Sequence, residues 1–266
     1  MAAPARVRER GRMGLLAAVA DLVLSPVCLG CDRSVLPGPE RPLVCGRCRV
    51  RLRPPPAPRC GRCSAPLQLT GRAVEPTCPD CREWDAALEW AESACLLRAP
   101  ADQLVYRLKY GGWRLLAEPL AELMARSLAR SWRWAASHGG AVPLLVPVPT
   151  TRARLRSRGY NQAELLALGL SSRTGIRSLD ALARAHATGS QIALQPSARR
   201  ANVAGAFRTL ARAGRIRGRS VLLVDDVLTT GATAGECARM LNEAGARAVG
   251  LVSFARALDA RRSDTD

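Results

Sequence analysis

Val221-Leu222-Leu223-Val224-Asp225-Asp226-Val227-Leu228-Thr229-Thr230-Gly231-Ala232-Thr233 is the stretch of this 266-residue chain from which the fold can be read. Four successive branched apolar residues after Ser220 predict a strand over 220–224 buried on both faces, as in a parallel sheet covered by helices. The apolar spacing after Gly231 predicts a helix over 232–244. A strand, a loop carrying glycine and hydroxyls, and a helix start together form an anion cradle. Loop N–H groups and the positive end of the helix converge on one phosphate, and Thr229, Thr230 and Thr233 add donors around Ala232. Gly231 lets the backbone approach the anion closely. Asp225 and Asp226 at the strand end are placed to accept hydrogen bonds from two vicinal hydroxyls of a ribose. Side-by-side carboxylates at a buried strand end are expensive without a ligand or metal. The loop lacks the Gly-Lys-Ser/Thr ending of a Walker loop and is not a G-x-G-x-x-G dinucleotide fingerprint.

Outward from this stretch, strand-like and helix-like segments alternate from Ala86 onward. Strands are expected at 89–97, 144–148 and 248–254, and helices at 101–110, 115–131 and 161–169. That alternation predicts an α/β fold, a parallel sheet with helices on both faces. The expected layout is an amphipathic N-terminal helix over 1–27, a double zinc-ribbon module over 28–85, the α/β domain over 86–258 and a disordered tail over 259–266.

The N-terminal part is organised by cysteine. Eight of the ten cysteines form four C-x-x-C pairs: Cys28 with Cys31, Cys45 with Cys48, Cys60 with Cys63, and Cys78 with Cys81. Loops of 13 and 14 residues separate the members of each half. A C-x-x-C knuckle sets two sulfurs on one side of a turn, and two knuckles close a tetrahedral shell around Zn²⁺. Gly30, Gly46 and Gly61 lie inside the pairs, where the missing Cβ favours a backbone turning toward the metal. One or two structural zinc ions are therefore expected, with sequential and interleaved pairing both open. A redox dithiol needs only one pair at a strand-to-helix junction, and an iron–sulfur cluster is the other rival. Cys95 and Cys237 fall in apolar segments and read as small buried hydrophobes. The segment 51–58, with Pro54, Pro55, Pro56 and Pro58, is a stiff spacer.

Forty Lys plus Arg stand against 22 Asp plus Glu, a formal net charge of +18, almost all of it arginine. Arginine suits phosphate, which favours a polyanionic partner; arginine-rich codon usage is the bland alternative. The apolar run 14–24 is interrupted by Asp21 and too short to span a bilayer. No membrane span and a cytoplasmic location are expected, with thiols binding metal rather than forming disulfides.

The strand–loop–helix motif closely resembles the 5-phosphoribosyl-1-pyrophosphate (PRPP) signature of type I phosphoribosyltransferases. Together with Val146-Pro147-Val148-Pro149, Arg158-Gly159-Tyr160-Asn161-Gln162-Ala163-Glu164, Thr188 with Gln191, Arg199-Arg200-Ala201-Asn202-Val203 with Ala206-Phe207, and Leu108-Lys109-Tyr110-Gly111, it makes the chain similar to the ComF/GntX family. In that family a cysteine-knuckle segment precedes a phosphoribosyltransferase-like domain. The resemblance implies a ribose 5-phosphate or PRPP site and a role in uptake or handling of single-stranded DNA during natural transformation. It also implies residue roles. Asp225 and Asp226 would hold the ribose hydroxyls and, with pyrophosphate, Mg²⁺, and residues Thr229 to Thr233 would hold the 5′-phosphate. Lys109 would face the pyrophosphate, and Arg158, with Arg152, Arg154 and Arg156, would sit in a mobile loop closing over diphosphate or tracking a nucleic-acid backbone. For Lys109 and for the arginines, mere solvation is the competing reading.

Two classes of function are consistent with these residues. A transferase moving phosphoribosyl from PRPP to an acceptor would use Asp225, Asp226 and Lys109 to stabilise charge on ribose and diphosphate. A nucleic-acid binder would use the net charge, the arginines, and Tyr110, Trp113, Trp132, Trp134 or Tyr160 as stacking platforms. A scaffold contacting a DNA-uptake helicase or recombination mediator is a third class with no sequence feature of its own.

Overall fold

A computed structural model describes residues 26–35, 42–67, 69–70, 73–74, 78–139, 142–185 and 205–258. The expected N-terminal helix as far as residue 25, Thr188, Gln191, the 199–203 motif and the tail lie outside the described residues. The chain forms two compact units, Met1–Arg51 and Leu52–Asp266.

In the first unit, Val27 and Ser34 form an antiparallel bridge across the first knuckle. The Leu29 N–H donates to the Leu43 carbonyl, and helix α1 (Gly46–Arg51) starts inside the second knuckle and carries Cys48.

The second unit is built on a four-stranded sheet in the order β3 (Trp90–Leu96), β8 (Ala248–Arg256), β7 (Ser220–Leu228), β4 (Leu144–Pro147). All three pairings are parallel. Near-continuous burial along β7 and β8 explains their largely apolar sequences. Two short antiparallel pairs complete the strands: β1 (Leu69–Thr70) with β2 (Ala73–Val74), and β5 (Leu182–Arg184) with β6 (Phe207–Thr209).

Between the strands run α2 (Ala101–Tyr110), α3 (Ala117–Arg126), α4 (Ala129–Ser137), α5 (Arg152–Arg158), α6 (Gln162–Thr174) and α7 (Ala232–Glu243). The single helix expected over 115–131 is instead a 3₁₀ turn at Arg114–Leu116 followed by α3 and α4, separated at Ser127 and Leu128. Helices α3 and α6 pack against each other and on the sheet, and α7 packs on β7 and β8.

Strand alternation sends Leu144, Val146, Val221, Leu223, Val249 and Leu251 into one core. That same core contains Cys60, Cys63, Cys78, Cys81, Trp84 and Leu88. The third and fourth C-x-x-C pairs thus pack inside the α/β unit, and the division falls in the Pro-rich spacer rather than near residue 85. Arg62 fastens this ribbon to the segment leading into β3, donating to the carbonyls of Cys81 (3.0 Å), Asp85 (2.8 Å) and Leu88 (2.9 Å). Among the described residues no helix is long and apolar enough to cross a membrane.

Candidate functional site

The carboxyl ends of edge strand β4 and its neighbour β7 adjoin, on the side of the sheet where open α/β folds bind ligands. Strand β7 does not stop at Val224. Val227 and Leu228 still pair with Ala255 and Arg256, so Asp225 and Asp226 project from the strand itself. Asp226 is buried, and its N–H donates to Asp225 Oδ1 at 2.8 Å. Lys109, in the last turn of α2, places Nζ 2.8 Å from Asp226 Oδ2. Burial first, and then the charge of Asp226, push the Asp225 carboxyl up to about 8; the Asp226 N–H and Lys109 oppose the shift. The Asp225–Asp226–Lys109 cluster therefore holds two acids and one cation, with room to ionise further if a cation or hydroxyl donor arrives.

Beyond the acids, Thr229 is exposed, and Thr230, Ala232 and Thr233 are half-buried. The Ala232 N–H lies 3.4 Å from Thr230 Oγ1. Gly231 precedes α7 in the left-handed region, at φ 79°. A Cβ there would stand 2.5 Å from the Trp84 indole, so the position is closed to larger residues by backbone and by space. The Thr229 carbonyl accepts from Arg256 Nη1 at 2.8 Å. Arg256 and Trp84 belong to no motif visible in the sequence. The available signal is a cation ending the apolar run of β8 and a tryptophan shortly after the fourth knuckle.

The arginines after β4 are helical, not a loop. Thr151 caps α5 by accepting from the Arg154 N–H, and Gly159 ends it at φ 77°. Arg158 lies over the Tyr110 ring at 4.8 Å, and Arg114 lies over the Tyr160 ring at 4.8 Å while donating to the Gly159 carbonyl at 3.2 Å. The buried Tyr160 hydroxyl donates to the Leu108 carbonyl at 2.6 Å. The ends of α2 and α5 thus meet in an arginine–aromatic corner, one residue from Lys109. Tyr106 and Tyr110, ring centroids 5.2 Å apart, are 61% and 64% exposed, and Trp113 is 40% exposed. Trp134 instead packs edge-on against Trp90 and donates to Glu89 Oε2, so it and Tyr160 serve packing.

The cysteines gather as Cys28, Cys31, Cys45 and Cys48, and as Cys60, Cys63, Cys78 and Cys81, the sulfurs of each set all within 4.8 Å of one another. Pairing is therefore sequential. A Zn–S bond of about 2.3 Å in a tetrahedron puts sulfurs about 3.8 Å apart. The separations are 3.9 Å for Cys31–Cys45, 3.7 Å for Cys60–Cys81 and 3.6 Å for Cys63–Cys78, so both sets fit structural zinc. Burial raises the Cys28 thiol, but N–H groups of Cys45 and Gly30 outweigh it and bring the group to about 7, which favours the thiolate a metal needs. The left-handed residues of the knuckles are Asp32 (φ 56°) and Ser64 (φ 57°). Gly46 and Gly61 are not needed for space, since a Cβ on either would meet nothing within 4 Å.

Comparison with known proteins bears on both halves. Residues 119–266 match the phosphoribosyl transferase domain family, and residues 19–95 match the double zinc ribbon domain family. The chain is 31% identical to the DNA utilization protein YhgH of Salmonella typhimurium, over 81% of this chain and 89% of that protein. It is 29% identical to competence protein F of Haemophilus influenzae, over 80% and 90% of the two chains. Competence protein ComFC of Streptococcus pneumoniae is 27% identical over 56% of this chain and 60% of its own.

The chain belongs to the ComF family. Its ComF architecture is a double zinc ribbon and a phosphoribosyltransferase domain, with Asp225 to Thr233 inside the matched range of the latter. Lys109 and the arginine–aromatic residues from Tyr106 to Arg114 lie between the two matched ranges. The structure brings Lys109 to Asp226 all the same, so this ComF site draws on a helix that precedes the matched phosphoribosyltransferase segment.

Proposed function

We propose that this ComF-family chain binds a ribose 5-phosphate group, as PRPP with Mg²⁺ or as the end of a strand, and handles single-stranded DNA on the corner beside that site. The carrying observation is the position of α2. Its Lys109 meets the acid pair, while Tyr106 and Tyr110 on the same helix face solvent next to Arg158.

Asp225 and Asp226 accept from the ribose hydroxyls, and the N–H groups from Thr229 to Thr233 with the start of α7 hold the phosphate. Lys109 neutralises the diphosphate side. Mg²⁺ carried in with PRPP would add charge to the pyrophosphate, and Asp225 and Asp226 supply the hard oxygen donors suited to it. Its arrival favours ionised Asp225, so binding at neutral pH releases a proton. In the corner, tyrosine faces stack on bases at about 1–3 kcal/mol per base, while Arg158 over Tyr110 and Arg154, one turn earlier on the same face of α5, track the phosphates. A cytoplasmic role with a DNA-uptake helicase or recombination mediator belongs to the same reading; the names of the relatives, competence protein and DNA utilization protein, support its DNA part.

The test is fluorescence polarisation of a labelled single-stranded oligonucleotide with zinc-loaded protein at physiological salt, with and without PRPP and Mg²⁺. Tyr106→Leu with Tyr110→Leu is expected to weaken binding at least tenfold, and Tyr→Phe at both positions to leave it within twofold. PRPP, or Asp225→Asn with Asp226→Asn, is expected to shift the curve. Binding no tighter than that of a charge-matched control protein would refute the DNA reading.

A further inference from the structure

The loop from Thr229 to Thr233, to which the proposed function assigns the phosphate, is not held by its own strand and helix alone. Arg256 ends β8 opposite Leu228, with a side chain only 2% exposed. Its Nη1 donates to the Thr229 carbonyl at 2.8 Å, and its Nη2 stands 3.5 Å from Asp80 Oδ2. Its guanidinium also lies over the Trp84 ring, 5.7 Å from the centroid. Asp80 sits inside the Cys78–Cys81 knuckle. Trp84 lies three residues past that knuckle, its N–H donating to the Cys81 carbonyl at 3.1 Å, and its indole occupies the space beside Gly231.

The phosphate loop is thus gripped at Thr229 through Arg256 and at Gly231 through Trp84. Trp84 belongs to the short segment from Cys78 to Trp84, and Arg256, from β8, faces Asp80 of the same segment, whose course is set by the closure of a four-sulfur shell. A buried guanidinium is costly unless paired, and the carboxylate beside Arg256 is Asp80. When the shell opens, four buried sulfurs no longer fix the knuckle, Asp80 and Trp84 lose their seats, and Arg256 loses its anion.

We infer that the Cys60–Cys63–Cys78–Cys81 cluster sets the conformation of the Thr229–Thr233 loop through Asp80, Trp84 and Arg256, so that metal occupancy of this cluster and ribose-phosphate binding are thermodynamically coupled. Arg256 is the positioning residue of this coupling. Thr229, Asp80 and Trp84 all lie in the same compact unit as Arg256, while the Cys28–Cys31–Cys45–Cys48 cluster lies in the other. The inference rests on the reading that the loop holds a phosphate.

Coupling is reciprocal: whatever factor metal loss takes from ligand affinity, ligand binding returns to metal retention. The full-length, zinc-loaded protein is therefore monitored by transfer of zinc to a chromogenic chelator, with and without saturating PRPP and Mg²⁺, alongside calorimetric titration with PRPP. In the wild type, PRPP is expected to slow release of one zinc equivalent by about tenfold and leave the other unchanged, within the 5–150-fold range usual for coupled sites. Arg256→Met is expected to bind two zinc ions, to lose at least tenfold in PRPP affinity, and to release both at rates PRPP no longer alters. Arg256→Lys should recover part of the affinity. If Arg256→Met fails to fold, Asp80→Asn, which keeps shape and removes the anion, is expected to abolish the PRPP effect on zinc release.

Wild-type protein that binds PRPP while both zinc ions leave at unchanged rates overturns the coupling and spares the phosphate site. Unchanged PRPP affinity and retained PRPP-slowed release in the Arg256 and Asp80 variants overturn the route through these residues. A wild type that binds neither PRPP nor ribose 5-phosphate removes the phosphate reading and the inference with it.

Discussion

Gly231→Ala tests the loop geometry at its tightest point. The backbone there is at φ 79°, where a Cβ costs about 1–2 kcal/mol. The added methyl would lie 2.5 Å from Trp84 Cε2 and Nε1 and 2.9 Å from Cζ2. Trp84 is itself fixed in the core with Cys81 and Leu88, so it cannot swing aside freely. Forcing a methyl into such packing costs about 1–3 kcal/mol. The two effects together give about 2–5 kcal/mol. For a unit of this size each kcal/mol moves the melting temperature by about 2–4 °C, so a fall of about 4–20 °C is expected. Zinc-loaded wild type and variant would be melted by circular dichroism, and PRPP binding measured well below the transition. Trp84→Leu separates the two costs. Combined with Gly231→Ala it should be less destabilising than the sum of the single changes by about 1–3 kcal/mol, because the clash is gone and only the dihedral cost remains. A melting temperature within 2 °C of wild type, or strict additivity, would refute the argument that Trp84 and Gly231 are mutually shaped.

Lys109→Met leaves Asp226, 8% exposed at its side chain, without its cation. Breaking a buried pair costs about 3–5 kcal/mol, but the lysine is a quarter exposed and water screens part of this, so about 1–3 kcal/mol is expected from urea unfolding. Asp226→Asn added to that variant should restore most of the stability without restoring PRPP binding; no recovery would mean the pair is not what Lys109 stabilises. The pH dependence comes from Asp225. Its folded value near 8 lies above the ordinary 3.8, so between those limits the unfolded chain has given up a proton that the folded chain keeps. The unfolded state binds fewer protons, and this group makes stability fall as pH rises from about 4 to about 8. Urea midpoints at pH 5, 6.5 and 8 should show Asp225→Asn less sensitive to rising pH than wild type; identical slopes would show that Asp225 titrates normally.

The parts of the site legible in the sequence are those whose physics is local. Val221 to Thr233 announces strand, acids, anion loop and helix within thirteen residues, and each C-x-x-C pair is a complete knuckle in itself. Other local signals are outweighed by louder ones: Thr151 and Gly159 are a cap and a stop for α5, yet four arginines in alternation read as a mobile loop over diphosphate or along a nucleic-acid backbone. The strand expected over 220–224 falls short of β7 because Asp225 and Asp226 are poor strand formers, and the ladder to β8 overrides that preference. Long-range facts have no local signal. Lys109 meets Asp226 across more than a hundred residues, and only the folded sheet makes them neighbours.

The two cysteine clusters share one spacing and differ in surroundings, and that difference carries functional weight. In the first, Cys31 and Cys45 are half-buried; in the second all four cysteines are buried, in one core with β4, β7, β8 and α7. A metal in the first shell stabilises its own ribbon. The second set lies inside the α/β core together with Trp84, whose indole stands beside Gly231. Spacing alone makes the clusters equivalent; burial makes the second an integral part of the α/β core. The same contrast explains why the division between compact units falls within the ribbon pair, at Arg51 and Leu52, rather than after it: the second ribbon contributes its cysteines, Trp84 and Leu88 to the core beneath the sheet, and a domain is delimited by its core.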